Sequence, residues 1–147
     1  MNKILIEQTK SILEETDKLA ALSNLTALLF YENENLNWLG FYFYKDNELV
    51  LGPFQGKVAC THLKLDKGVC AKSFTSKQLL NVKNVHDFEG HIACDSASNS
   101  ELVIPLIYEE KEYGVLDIDS PILNRFTIDD EETFKEVGLL ISKKLAE

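Results

Sequence analysis

A chain of 147 residues, 45% hydrophobic and 27% charged, is long enough for one domain with a real core. Its formal net charge of -9, with no run of three Lys or Arg, excludes a phosphate-backbone partner and disfavours anionic membrane surfaces, so neither a nucleic acid nor a membrane is an expected partner. The cysteines, Cys60, Cys70 and Cys94, are odd in number and lack a Cys-x-x-Cys pair, and only Ile4, Leu5 and Ile6 precede the charge at Glu7; neither a secreted disulfide framework nor a signal peptide fits, and a cytoplasmic location is expected.

Residues 3–15 read as a weak helix and residues 17–31 as a stronger one capped by Asp17, with Leu19, Leu22, Thr26, Leu29 and Phe30 at helical spacing. The few apolar positions of the first, Ile4, Leu5, Ile12 and Leu13, leave open a partner helix on a second copy, and so a homodimer. After a polar connection, residues 38–44 and 48–54 flank the turn signal Asp46-Asn47 and predict a hairpin. Gly52-Pro53-Phe54-Gln55-Gly56 is expected to break its second strand, and residues 58–63 to form a short edge strand carrying Cys60 and His62. Lys67-Gly68 then opens a helix over 69–76 with Cys70 near its start, where oriented backbone N–H groups lower a thiol's pKa and give that cysteine a motive for reactivity.

Residues 78–82 predict another short strand, 84–99 a long loop, and 102–108 with 113–120 a second hairpin across a charged turn. Thr127 is a natural N-cap for a last helix, with acidic residues in its first turn and Phe134, Val137, Ile141 and Leu145 as its buried stripe. Helices at both ends of a run of hairpin strands mean the α+β class: a single domain over 1–147, its antiparallel sheet covered on one face by the N- and C-terminal helices.

Two features carry chemistry. The first is the loop over 90–101, too rich in Ser, Asn, Asp, Ala and Gly to be a core element, which nevertheless holds Cys94. A packing cysteine prefers apolar burial, whereas this one is crowded by His91, Asp95 and Glu101, the surroundings of a tuned thiolate. The second is strand alternation: Leu39, Phe41, Phe43, Leu102, Ile104, Leu106, Leu116 and Ile118 form one apolar surface, and Trp38, Tyr42, Glu101, Asp117 and Asp119 gather on the other. If these strands are neighbours, an aromatic pair beside three carboxylates makes a concave site for a ligand with an apolar end and a cationic end. Cys60-x-His62 and His91-x-x-Cys94 match no usual zinc spacing, His86 and His91 read as loop hydrogen-bonders, and no metal is expected.

Segments 37–42 (Asn-Trp-Leu-Gly-Phe-Tyr), 51–60, 68–70 (Gly-Val-Cys), 91–101 and 114–120 (Gly-Val-Leu-Asp-Ile-Asp-Ser) resemble the free methionine-(R)-sulfoxide reductases, a family with the GAF-domain fold, over nearly the whole chain from the second helix onward. The resemblance implies an enzyme that reduces the R epimer of free methionine sulfoxide through a thiolate, a sulfenic acid and a disulfide, with thioredoxin as reductant and no metal or organic cofactor. Carried over by motif, Cys94 is the nucleophile and Cys60 and Cys70 its partners in disulfide formation. Their order stays open, as does first attack by Cys70. Glu101, Asp117 and Asp119 would hold the polar groups of the substrate, with Trp38 and Tyr42 flanking its methyl. Ala71, where the family pattern has glycine, puts only local loop geometry in doubt. The competing expectation is a non-enzymatic GAF module that binds a small ligand for signalling.

Overall fold

Leu39, Phe41 and Phe43 leave the first strand on one side and Trp38, Gly40 and Tyr42 on the other, and this alternation divides the molecule into scaffold and site. In the computed structural model, which describes every residue except Ala93 and Asp95, the elements run α1 (Lys3–Ile12), α2 (Lys18–Tyr31), β1 (Trp38–Lys45), β2 (Glu48–Gly56), β3 (His62–Lys64), α3 (Val69–Ser76), β4 (Leu80–Val82), a single 3-10 turn (Val85–Asp87), β5 (Ser100–Tyr108), β6 (Lys111–Ser120) and α4 (Ile128–Leu145). The strands form one antiparallel sheet in the order β3-β2-β1-β6-β5-β4.

On the scaffold face, Leu39, Phe41, Leu102, Ile104, Leu106, Leu116 and Ile118 pack under Leu25 and Leu29 of α2 and Phe134, Val137 and Ile141 of α4. Burial on this scale is the main favourable term in the fold. The helix starts are written in local chemistry. Asn2 accepts from Leu5 N at 3.0 Å, Asp17 from Ala20 N at 2.9 Å, and Thr127 and Asp130 exchange side-chain-to-backbone hydrogen bonds in a full capping box. Helix α1 buries Leu5 and Ile6 within its own chain, beside α2 and α4, so it needs no second copy to cover them.

Two expectations are corrected. Gly52-Pro53 does not end the second strand, because β2 runs on to Gly56. A register shift opposite Gly40 and Tyr42 absorbs the irregularity, and Pro53 lies beyond the β3 pairing of residues 48–50, where a missing N–H costs no ladder bond. A side chain at Gly52 would meet the Phe43 ring at 2.5 Å, so glycine lets the two strands close there. Strand β3 begins only at His62, which leaves Cys60 in the loop before it.

The opposite face of the sheet carries α3 alone among the helices named. Val69, Cys70 and Phe74 of α3 pack with Trp38, Tyr42, Val103 and Val115 into a second, smaller apolar cluster. Among the described residues, no helix is long and apolar enough to cross a membrane.

Candidate active site

Strand pairing brings together what lies far apart in sequence. Trp38 stands opposite Asp119, and Asp119 opposite Glu101; two residues along, Asp117 lies between Gly40 and Val103. The three carboxylates thus share one patch of the sheet beside the Trp38 ring, as alternation predicts once β1, β6 and β5 are neighbours. Gly40 keeps this patch open, since a Cβ there would reach the Trp38 ring at 2.8 Å and Phe54 Cβ at 2.3 Å.

Over the patch lies a cavity of about 50 Å³ whose walls include Trp38, Tyr42, Cys70, Cys94, Glu101, Asp117 and Asp119. The aromatic residues are pinned by their polar ends. The Trp38 indole donates to Lys57 O at 3.1 Å and the Tyr42 hydroxyl to Cys60 O at 2.8 Å, so both tie the floor to the loop that carries Cys60. Their rings stack at 5.8 Å, and Phe54 backs Trp38 at 5.3 Å. The side chains are held at both ends and present apolar faces.

Cys60 and Cys94 are joined in a disulfide across 34 residues, with Cα atoms 5.6 Å apart, while Cys70 is a free, buried thiol. Of the two candidate partners for Cys94, Cys60 is therefore the bonded one. The expectation that the helix start would lower the Cys70 pKa is overturned: burial, followed by the charges of Asp117, Glu101 and Asp119, pushes it well above the ordinary thiol value. One turn of helix N–H groups does not outweigh desolvation beside three acids.

The acids perturb one another in the same sense. Burial raises Glu101, with the Asp117 charge next; burial raises Asp119, with the charges of Asp117 and Glu101 next. Burial also lifts Asp117, to about 7, while hydrogen bonds with Asp119, Cys70 and Glu101 hold it from rising further. Asp117 Oδ1 and Asp119 Oδ1 are buried with no hydrogen-bond partner among the described residues. Such a cluster holds protons at neutral pH and gains from any cationic or donor-rich ligand.

This arrangement has a measurable cost. The folded Asp117 titrates near 7 and an ordinary aspartate at 3.8, so the unfolded chain ionises first as pH rises. The contribution of Asp117 to stability is fully present below pH 3.8 and is lost as pH climbs through about 7. The unliganded protein is expected to melt on the order of 10 °C lower at pH 8 than at pH 4.5, and Asp117→Asn to flatten that slope. Thermal unfolding followed by circular dichroism across this range is the check; a melting point that rises with pH in both proteins would contradict the reading.

Other expected residues are placed more loosely. His91 lines the cavity with its pKa lowered, mainly by burial and then by His86, whereas His86 bonds Asn99 Oδ1 at 2.9 Å. His62 faces away to Glu48 at 2.6 Å. Asp95, expected beside Cys94, lies outside the described residues. The sequence reading passed over Ile92 and Ser98, which line the cavity, and Lys67, the cation on its wall. A lysine before the glycine that starts α3, on a chain this acidic, was the available signal for the last.

The GAF domain family matches residues 5–145. The free methionine-R-sulfoxide reductase of Escherichia coli is 47% identical over 132 residues, covering 90% of this chain and 80% of that protein. A structure of fRMsr of Staphylococcus aureus in its reduced form superposes with a TM-score of 0.92 at 44% identity, covering 97% of this chain and 94% of that one. The free methionine-R-sulfoxide reductase of Neisseria meningitidis, solved in complex with its substrate, superposes with a TM-score of 0.92 at 36% identity, covering 97% and 86%.

Proposed function

This chain belongs to the GAF-domain family, among its free methionine-R-sulfoxide reductases, and from that premise we propose that it reduces free methionine (R)-sulfoxide at Cys94, over the floor formed by Glu101, Asp117 and Asp119. The observation that carries the site assignment is the meeting, around one small cavity, of the bonded Cys94 with three acids of raised pKa.

The step follows from that placement. The Cys94 thiolate attacks the sulfoxide sulfur and a protonated carboxyl of the cluster donates to the sulfoxide oxygen; that oxygen then passes to the Cys94 sulfur as the transient S–S bond breaks, which releases methionine and leaves Cys94 as a sulfenic acid. Cys60 then condenses with it, releasing water and forming the disulfide. The rings of Trp38 and Tyr42 supply an apolar wall for the substrate's S-methyl, and the unpartnered oxygens of Asp117 and Asp119 accept from its ammonium group. An external dithiol of the thioredoxin type reopens the disulfide by exchange, in the cytoplasm. Ile4 and Ile128 stay exposed on the contacting helices α1 and α4, and a homodimer through that side belongs to the same reading.

A thioredoxin-coupled assay with separated R and S epimers tests the activity. Turnover of the R epimer alone is expected; equal rates for both, or none, would refute it. Cys60→Ser addresses the order of events. Without reductant it is expected to release about one methionine per chain and then stop, because removing a resolving thiol blocks recycling and not the first attack. No methionine released would place Cys60 in the chemical step itself.

A further inference from the structure

Cys70 is the one cysteine that the disulfide leaves out, and its setting is unusual for a spare thiol. Its sulfur, a Glu101 oxygen and an Asp117 oxygen lie within 4.8 Å of one another, and all three side chains are buried. Independently, Asp119 lines the same cavity, its Oδ1 is buried without a hydrogen-bond partner, and no Lys or Arg pairs with any of these acids among the described residues. The pocket therefore gathers oxygen donors around a sulfur, with no basic side chain paired to them.

We propose that Cys70, Glu101 and Asp117 form a binding site for one thiophilic divalent cation, Zn²⁺ in the first place, and that the ion occludes the cavity reversibly. The donor set selects the metal. Ca²⁺ and Mg²⁺ require six or more oxygens, whereas one thiolate with two carboxylates and a water completes a tetrahedral Zn²⁺ shell. Donors in such a shell stand about 3.5 Å apart, so side-chain shifts of roughly 1 Å close the observed group. The cavity of about 50 Å³ has room for the ion and that water, and Asp119 is placed to accept from the water. Binding exchanges the thiol proton, and any carboxyl protons, for the metal, so protons pass to solvent and affinity increases with pH. No redox step is involved, and the Cys60–Cys94 bond stays intact.

Only the occlusion of substrate rests on the functional reading given above; the metal site does not. The test therefore reads binding directly. The full chain, oxidised so that Cys70 is its single thiol, is titrated with Zn²⁺ in competition with a chromophoric chelator, and with Co²⁺ as a spectroscopic probe. One ion per chain and an intense near-ultraviolet sulfur-to-cobalt band are expected. Cys70→Ser should remove the band and weaken Zn²⁺ binding at least about a hundredfold, Glu101→Gln should weaken it about tenfold or more, and free methionine should compete. No stoichiometric binding, cobalt bound without the band, or Zn²⁺ binding unchanged in the variants would each overturn the proposal. If Cys70→Ser fails to fold by circular dichroism, the wild-type cobalt band and Glu101→Gln decide. Turnover is measured separately in excess chelator. An inactive protein that binds Zn²⁺ would count against the reductase reading alone, and an active one that does not would count against the metal site alone.

Discussion

Cys94→Ser is expected to lower methionine formation by about a thousandfold or more, with the fold retained. A serine hydroxyl at the same place is a far weaker nucleophile than a thiolate and can pass through neither a sulfenic acid nor a disulfide, so both halves of the cycle are lost together. The fold should survive because Cys94 is half-buried in a loop rather than part of the α2–sheet–α4 core. Melting points must be compared with both proteins fully reduced, since the variant also lacks the Cys60–Cys94 bond. The competing assignment gives the opposite pattern: near wild-type turnover in Cys94→Ser and none in Cys70→Ser. Burial and acid neighbours argue against that pattern, because they keep the Cys70 thiol protonated.

The second large effect concerns the substrate. Free methionine sulfoxide should be preferred over its N-acetyl, C-amide derivative in kcat/KM on the order of several hundredfold or better. On the proposed reading, a free amino acid brings an ammonium group to Asp117 Oδ1 and Asp119 Oδ1, which are buried with no hydrogen-bond partner among the described residues. A capped substrate replaces that charge with a neutral amide and leaves the acids desolvated and uncompensated. The loops carrying Cys60 and Cys94 also line the cavity, and on the same reading they are expected to bar a chain extending from either end of the residue. Similar kcat/KM values for the two compounds would sink this role for the carboxylates, even with the cysteine chemistry confirmed.

Much of this was legible in the sequence because it is local. Asp17 and Thr127 announce their helices by capping chemistry within one turn, and residues 69–76 were bounded as a helix at the observed ends. Asp117 and Asp119 share a face whatever they pair with, since that depends only on the two-residue period of a strand. The rest is non-local. That β1 pairs with β6, some eighty residues later, decides whether Trp38 meets Asp119 at all, and no short-range pattern encodes it. The misreading of β2 was a competition between rules: Pro53 signals a break, yet β3 is too short to need its N–H. The misreading of Cys70 was similar, since its place at a helix start is visible in the sequence while its burial against three acids from other strands is not.

The covalent tie between the loops of Cys60 and Cys94 bears on how long a molecule lasts in a cell. It spans 34 residues, a stretch that includes β3, α3 and β4. Closing a loop of that length removes roughly 4 kcal/mol of chain entropy from the unfolded state in the loop-closure model. A catalyst that turns over through this bond alternates between a stapled and an unstapled form, and the unstapled one opens more often to proteases.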